Sequence, residues 1–168
     1  MNKKTTNLDK SKIKLLILDR DGVINQDSMG YIKSVDEWFP IEGSLEAVAK
    51  AYKLGKKFAV ATNQSGIARG LYSHKDMQQM HEKMNSILQG FGGYFEYIAY
   101  CDHHPDKKCK CRKPESGMIK SIHAHTKIPY EDMIIIGDRL KDLQAGARVG
   151  TQFALVLTGQ GEDTLKEH

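Results

Sequence analysis

Short apolar runs alternate with helix-length segments along this chain, and that alternation constrains the fold more than any other feature. Ile13 to Leu18 (broken only by Lys14), Phe58 to Ala61, Phe95 to Tyr100, Met133 to Ile136 and Phe153 to Leu157 are runs of four to six residues. Runs this short and continuous suit strands buried on both faces. Between them apolar residues recur at helical spacing. One set is Leu45, Val48, Ala49 and Tyr52, stopped by Gly55; a second is Met77, Met80, Met84, Ile87 and Leu88; a third is Met118, Ile119 and Ile122; a fourth segment runs from 140 to 149. Ser44 and Ser73 are placed to cap the first two helices, and Pro114 to open the third. The methionines read as core packing rather than cofactor contacts. Strands alternating with helices imply a Rossmann-like α/β fold, a parallel sheet with helices on both faces. Ligands in such sheets bind beyond the carboxyl ends of the strands.

The 168 residues suit one domain, expected over 12–160, with a polar, Lys-rich tail at 1–11 and a frayed end at 161–168. No apolar run is long enough to span a membrane, and no apolar segment follows the N-terminal lysines, so a cytoplasmic protein without a membrane partner is expected. The net charge of +4 is mild, and its densest cluster, Lys107 to Lys113, is interrupted by cysteines. His74, His81, His123, His125 and His168 show no ligand pattern and are expected on surface or helix positions.

Four chemically useful elements each follow a different strand. Asp19-Arg20-Asp21-Gly22 offers two carboxylates two residues apart, on one side by the strand period, with Gly22 admitting a close backbone turn. One carboxylate could attack phosphorus and the other manage protons; alone, the same residues would equally suit a solvated Asp-Gly turn. Thr62-Asn63-Gln64-Ser65-Gly66 supplies hydroxyls and backbone N–H groups for phosphoryl oxygens. Lys113, beside Arg112, offers the cation that an anionic nucleophile and an anionic phosphate both need. Gly137-Asp138-Arg139 supplies a further carboxylate. Asp19, the backbone carbonyl of Asp21, and Asp138 make a reasonable oxygen set for magnesium. Asp142, one turn on, suits a supporting role or a dipole-favoured place in a first helical turn.

Cys101, His103, Cys109 and Cys111 put four soft or borderline ligands within eleven residues, the pattern of a closed structural zinc site. The surrounding lysines and arginine offset the net negative charge of three thiolates on zinc. Such a loop would hold Arg112 and Lys113 in place.

In this order the four elements resemble the haloacid dehalogenase superfamily of phosphohydrolases, over residues 15 to about 158. The resemblance implies Asp19 as nucleophile, Asp21 as general acid then base, Thr62 and Lys113 on the phosphoryl group, and Asp138 on magnesium. Little room remains for an inserted cap domain, so a capless, monomeric enzyme is expected. Thr62 to Gly70 and Cys111 to Pro114 are similar to the branch that holds heptose 1,7-bisphosphate 7-phosphatases and histidinol-phosphate phosphatases. The segment Asn25 to Gly43 is closer to the heptose enzymes, which serve lipopolysaccharide core precursor synthesis, and histidinol phosphate is the alternative substrate. Arg20, Gly30, Tyr31, Asn63, Gln64, Ser65, Arg112 and Arg139 are the expected substrate-binding positions. A bisphosphate needs cations for its second anion, and Arg112 and Arg139 suit it. A zinc-stabilised nucleic-acid-binding module would explain the basic loop, but it leaves Asp19, Asp21 and Asp138 without a role and sets them against a phosphate backbone.

Overall fold

Each apolar run forms a strand in the computed structural model, which describes residues 11–168. The strands are β1 (Leu15–Leu18), β2 (Lys57–Asn63), β3 (Tyr97–Cys101), β4 (Met133–Gly137) and β5 (Gln152–Leu155). The helices are α1 (Ser44–Lys53), α2 (His74–Gly90), α3 (Gly117–Thr126), α4 (Leu140–Ala147) and α5 (Gly161–Glu167). The sheet order is β3-β2-β1-β4-β5 and every pairing is parallel, with Leu18 opposite Val60 on one side and Ile136 on the other. The chain builds outward from β1 to β3, then returns to β4. The point where strand order reverses therefore lies between β1 and β4, so a ligand crevice is expected over Asp19 and Asp138.

Continuous apolar strands are explained by two cores. Leu18, Phe58 and Val60 face Trp38, Leu45, Val48 and the α2 stripe Met77, Met80, Met84 and Leu88. Their neighbours Leu15, Ile17, Ala59 and Ala61 face Met118, Ile119, Ile122 and Ala145 on α3 and α4. Each buried Val, Leu, Ile, Phe or Met side chain here removes enough apolar surface to contribute about 1.5–3 kcal/mol. Both faces of the sheet are thus covered, and only the strand ends remain for chemistry.

Several local expectations are corrected. Ser44 does not cap α1: Gly43, in the left-handed region at φ 78°, takes that place, and Ser44 Oγ donates instead to the Ile24 carbonyl. Ser73 does cap α2, in a reciprocal pair with Asp76. The third helix opens at Gly117 rather than Pro114, because 113–116 turns back so that Gly117 N–H bonds the Lys110 carbonyl. The C-terminal segment is not frayed. Residues 161–167 are helical, and Thr164 Oγ1 donates to the Asp138 carbonyl at 2.8 Å. The expected N-terminal tail lies almost wholly outside the described residues. No helix among the described residues is long and apolar enough to cross a membrane.

Candidate active site

Asp19 ends β1 and is nearly buried, its Oδ1 accepting from the Arg20 backbone N–H at 2.7 Å. Lys113 reaches it from the loop after β3. Its Nζ lies 3.0 Å from Asp19 Oδ1 and 2.7 Å from Asp142 Oδ1, and donates to the Ala61 carbonyl at 2.7 Å. The ammonium is thus fixed on three sides, and Asp142 on α4 is a support for Lys113. Burial alone would discharge this lysine; Asp142 and Asp19 outweigh it and hold the pKa above the ordinary lysine value. Asp19 is pushed up to about 7, first by burial, with Lys113 opposing and Asp142 and Asp21 adding to the rise.

Asp138, fully buried after β4, accepts from the Gln160 backbone N–H at 2.8 Å through Oδ2, while its Oδ1 has no protein partner. An orphaned buried carboxylate oxygen is costly unless something else binds it. Asp19, Asp138 and Asp142 offer carboxylate oxygens all within 4.8 Å of one another. The approach is close: a Cβ on Gly22 (φ +87°) would lie 2.3 Å from Asp138 Oδ2, which only glycine avoids. This hard-oxygen set fits magnesium.

Asp21 is enclosed by donors. Arg20 Nε and Nη2 reach Oδ1 at 3.1 and 2.9 Å, Asn25 Nδ2 reaches it at 2.8 Å, and Gln64 Nε2 reaches Oδ2 at 3.0 Å. Burial raises its pKa, but the Arg20 charge and the Asn25, Arg20 and Gln64 hydrogen bonds overcome that and leave it below the usual carboxylate value. Gln64 also donates to Thr62 Oγ1 at 2.8 Å and accepts from the Tyr72 hydroxyl at 2.5 Å. A line of hydrogen bonds therefore runs from Tyr72 through Gln64 to Asp21 and Arg20.

A cavity of about 390 Å³ opens over these strand ends. Tyr31, Ser65, Arg112, Arg139 and Lys141 are on its wall. Arg139 Nη2 is paired with Asp27 Oδ2 of the 26–31 flap at 2.8 Å, and one Arg112 guanidinium nitrogen is buried without a partner. Burial, then Lys113 and Arg139, lower the Lys141 pKa. Between β1 and α1 the cavity is lined by Asp19 to Asp21 and by the flap with Ile32, and no inserted domain is present among the described residues.

Of the expected substrate-binding positions, Arg20 and Asn63 are on the cavity wall with their polar groups engaged within the protein, and Gly30 is not on that wall. The Arg20 guanidinium is turned inward on Asp21 and is 1% exposed. The Asn63 amide holds the Lys113 backbone, its Nδ2 and Oδ1 each 3.1 Å from that residue's O and N. Gly30 lies on the exposed flap and is not on the cavity wall. His81, expected on a surface or helix position, lies on α2 and is buried, with Nε2 3.3 Å from Arg20 Nη1. Its signal was present in the sequence, since residue 81 falls on the apolar α2 stripe beside Met77, Met80 and Met84. Lys141, Asn25 and Tyr72 carried no such signal.

Cys101, His103, Cys109 and Cys111 form a second cluster beside Lys113. Sγ–Sγ distances are 3.3–3.5 Å, and His103 Nδ1 is 3.2 Å from Cys111 Sγ and 3.7 Å from Cys101 Sγ. A tetrahedral zinc with thiolates at about 2.3 Å needs ligand separations of about 3.5–3.8 Å, so this set fits zinc after a small expansion. Asp102 carries the arrangement outward, with Oδ1 3.8 Å from His103 Nε2 and Oδ2 2.8 Å from His74 Nε2.

Residues 110–168 match a HAD-hydrolase-like family model. A D-glycero-beta-D-manno-heptose-1,7-bisphosphate 7-phosphatase of Pseudomonas putida is 50% identical over 155 residues, 92% of this chain and 89% of that one. The Neisseria meningitidis protein of the same name is 47% identical, over 93% of this chain and 83% of its own. The crystal structure of a D,D-heptose 1,7-bisphosphate phosphatase from B. bronchiseptica, complexed with magnesium and phosphate, superposes with a TM-score of 0.90 at 44% identity, covering 93% of this chain and 87% of that one. At this identity over nearly the whole chain, and on the same fold, the chain belongs to the haloacid-dehalogenase-like phosphatase family that includes these heptose-bisphosphate enzymes.

Proposed function

We propose that the protein removes the 7-phosphate of D-glycero-D-manno-heptose 1,7-bisphosphate through an aspartyl-phosphate on Asp19. The observation that carries the reading is the Lys113 ammonium, fixed 3.0 Å from Asp19 Oδ1 at the strand ends that also hold Asp138. Heptose bisphosphate is favoured over histidinol phosphate because relatives at up to 50% identity bear the heptose name. Cations on the cavity wall point the same way: Arg112, Arg139 and Lys141 suit a second phosphate, and a cationic amine would meet repulsion there.

In the first step an Asp19 carboxylate oxygen attacks phosphorus, the bond from phosphorus to O7 breaks, and Asp21 gives its proton to O7. Asp21 is a carboxylate in the free site, so it takes that proton as substrate enters, when phosphoryl oxygens beside it disfavour its charge. In the second step Asp21 removes a proton from water, the water oxygen attacks phosphorus, and the acyl phosphate bond breaks to release phosphate and Asp19. Lys113 and the hydroxyl of Thr62 hold the phosphoryl oxygens throughout. Asp19, the Asp21 carbonyl and Asp138 would hold magnesium, which supplies charge neutralisation at the transferring group. Cys101, His103, Cys109 and Cys111 would hold a structural zinc, which would keep the loop bearing Arg112 and Lys113 in register. The same reading gives a monomeric cytoplasmic enzyme of lipopolysaccharide core precursor synthesis, without nucleic-acid or membrane partners.

Phosphate release from the heptose bisphosphate and from histidinol phosphate, measured side by side with magnesium, tests the assignment. Preference for the bisphosphate is expected; preference for histidinol phosphate would overturn it.

A further inference from the structure

The buried pair Arg20–His81 has no part in the hydrolysis described above, and its geometry is specific. Arg20 directs Nε and Nη2 at Asp21 and Nη1 at His81 Nε2, 3.3 Å away. A guanidinium only donates. Nε2 must therefore present a lone pair, and the ring is neutral with its proton on Nδ1. No packing requirement calls for a histidine there. Residue 81 shares the stripe of Met77, Met80, Met84 and Leu88, where an apolar side chain would serve and a polar one is unfavourable unless bonded. Besides Arg20, Asp21 lies close enough to act on the ring electrostatically, and Tyr100 stands 6.5 Å away between centroids.

An imidazole differs here from a carboxylate. It fixes the guanidinium on the side away from Asp21 without neutralising it. The full positive charge and two of its three nitrogens then remain on Asp21, with Nη2 also 3.1 Å from Oδ2. The capping box of Ser73 and Asp76 anchors the start of α2, so His81 is a rigid stop behind Arg20.

We propose that His81 is a positioning residue for proton transfer: acting through Arg20, it holds the Asp21 carboxylate where it can protonate the leaving oxygen. This rests on the assignment of Asp21 as the acid in the reading above. The readout follows from the leaving group. A sugar alkoxide needs a proton to depart, whereas 4-nitrophenolate is stable as an anion.

His81→Met, which has no comparable acceptor, and His81→Gln, whose amide oxygen can accept from Arg20, are compared with the unaltered protein on heptose bisphosphate and on 4-nitrophenyl phosphate. The quantity compared is kcat/KM, which reports phosphoryl transfer and not the later hydrolysis, in which Asp21 serves as base for both substrates. His81→Met is expected to lower it by about 10²-fold on the sugar phosphate, the low end of a general acid's contribution, and by no more than about threefold on the aryl phosphate. His81→Gln is expected to recover most of the loss. Equal losses on both substrates, or no rescue by Gln, would overturn the proposal. Failure of the unaltered protein to hydrolyse either substrate, or an Asp21→Asn variant with an unchanged sugar-phosphate rate, would instead overturn the reading of the site. A measurement independent of variant folding is the ¹⁵N NMR spectrum of the histidine rings in the unaltered protein at neutral pH. A protonated Nδ1 and a bare Nε2 are expected for His81, and the opposite tautomer would refute the arrangement.

Discussion

Acidification from pH 8 to pH 5 should destabilise the native protein by about 2 kcal/mol through His81 alone. Burial, and then the Arg20 charge, lower its pKa from 6.5 to about 3, with Asp21 pulling weakly the other way. The folded value is depressed, so between about 3 and 6.5 the unfolded chain binds a proton that the native chain does not. Stability therefore rises with pH through that window and is lost as pH falls. At pH 5 the unfolded imidazole is protonated by a factor of about 30 and the native one hardly at all, and RT times the logarithm of that factor is about 2 kcal/mol. The result depends little on the native value as long as it lies well below 5. Other groups overlay it: Asp19, raised to about 7, favours the native state at low pH, while Asp21, lowered, disfavours it there. The difference between the unaltered protein and His81→Gln cancels them, because an amide does not titrate. Urea unfolding of both at pH 8, 6.5 and 5, in magnesium-free buffer, gives the comparison. The unaltered protein should lose about 2 kcal/mol more than the variant between the end points. Parallel pH dependences would show that His81 is not a buried neutral ring against Arg20.

Lys113→Met should reduce phosphate release by about 10²–10³-fold, since it removes a fixed cation from the transferring group. It should also destabilise the protein at pH 8 by about 3 kcal/mol, through two unpaired buried carboxylates, and by less at lower pH as Asp19 takes up a proton. Lys141→Met should raise KM for the heptose bisphosphate about tenfold, the worth of one charged hydrogen bond, and leave 4-nitrophenyl phosphate unaffected; steady-state kinetics on the two substrates decides. Elemental analysis of the purified protein should find one zinc per chain, and Cys111→Ser should abolish it and lower Tm by several degrees.

The fold was legible because strand ends and helix stripes are local patterns. Asp19, Thr62 and Asp138 follow apolar runs, and a parallel sheet brings such ends to one edge. What the sequence could not give was direction. Arg20 adjoins Asp19, which suggests substrate; its long side chain instead folds under Asp21 and meets a histidine 61 residues away. Asn63 likewise follows a strand, but its amide meets a backbone 50 residues on. Residues 161–167 look too polar and short to order themselves, and they are held by Asp138, whose carbonyl and carboxylate accept from Thr164 and Gln160. His81 was half legible: its place on the methionine stripe signalled burial, and its partner could come only from the structure.

The account depends most on a covalent phosphoryl group at Asp19. The direct test is rapid quenching of the enzyme during turnover of heptose bisphosphate, followed by borohydride reduction, digestion and peptide mass spectrometry. Reduction of an aspartyl-phosphate leaves homoserine, so homoserine at position 19 is expected, and none in Asp19→Asn, which should be folded and inactive. Homoserine at another aspartate, or steady turnover by Asp19→Asn, would contradict the central claim.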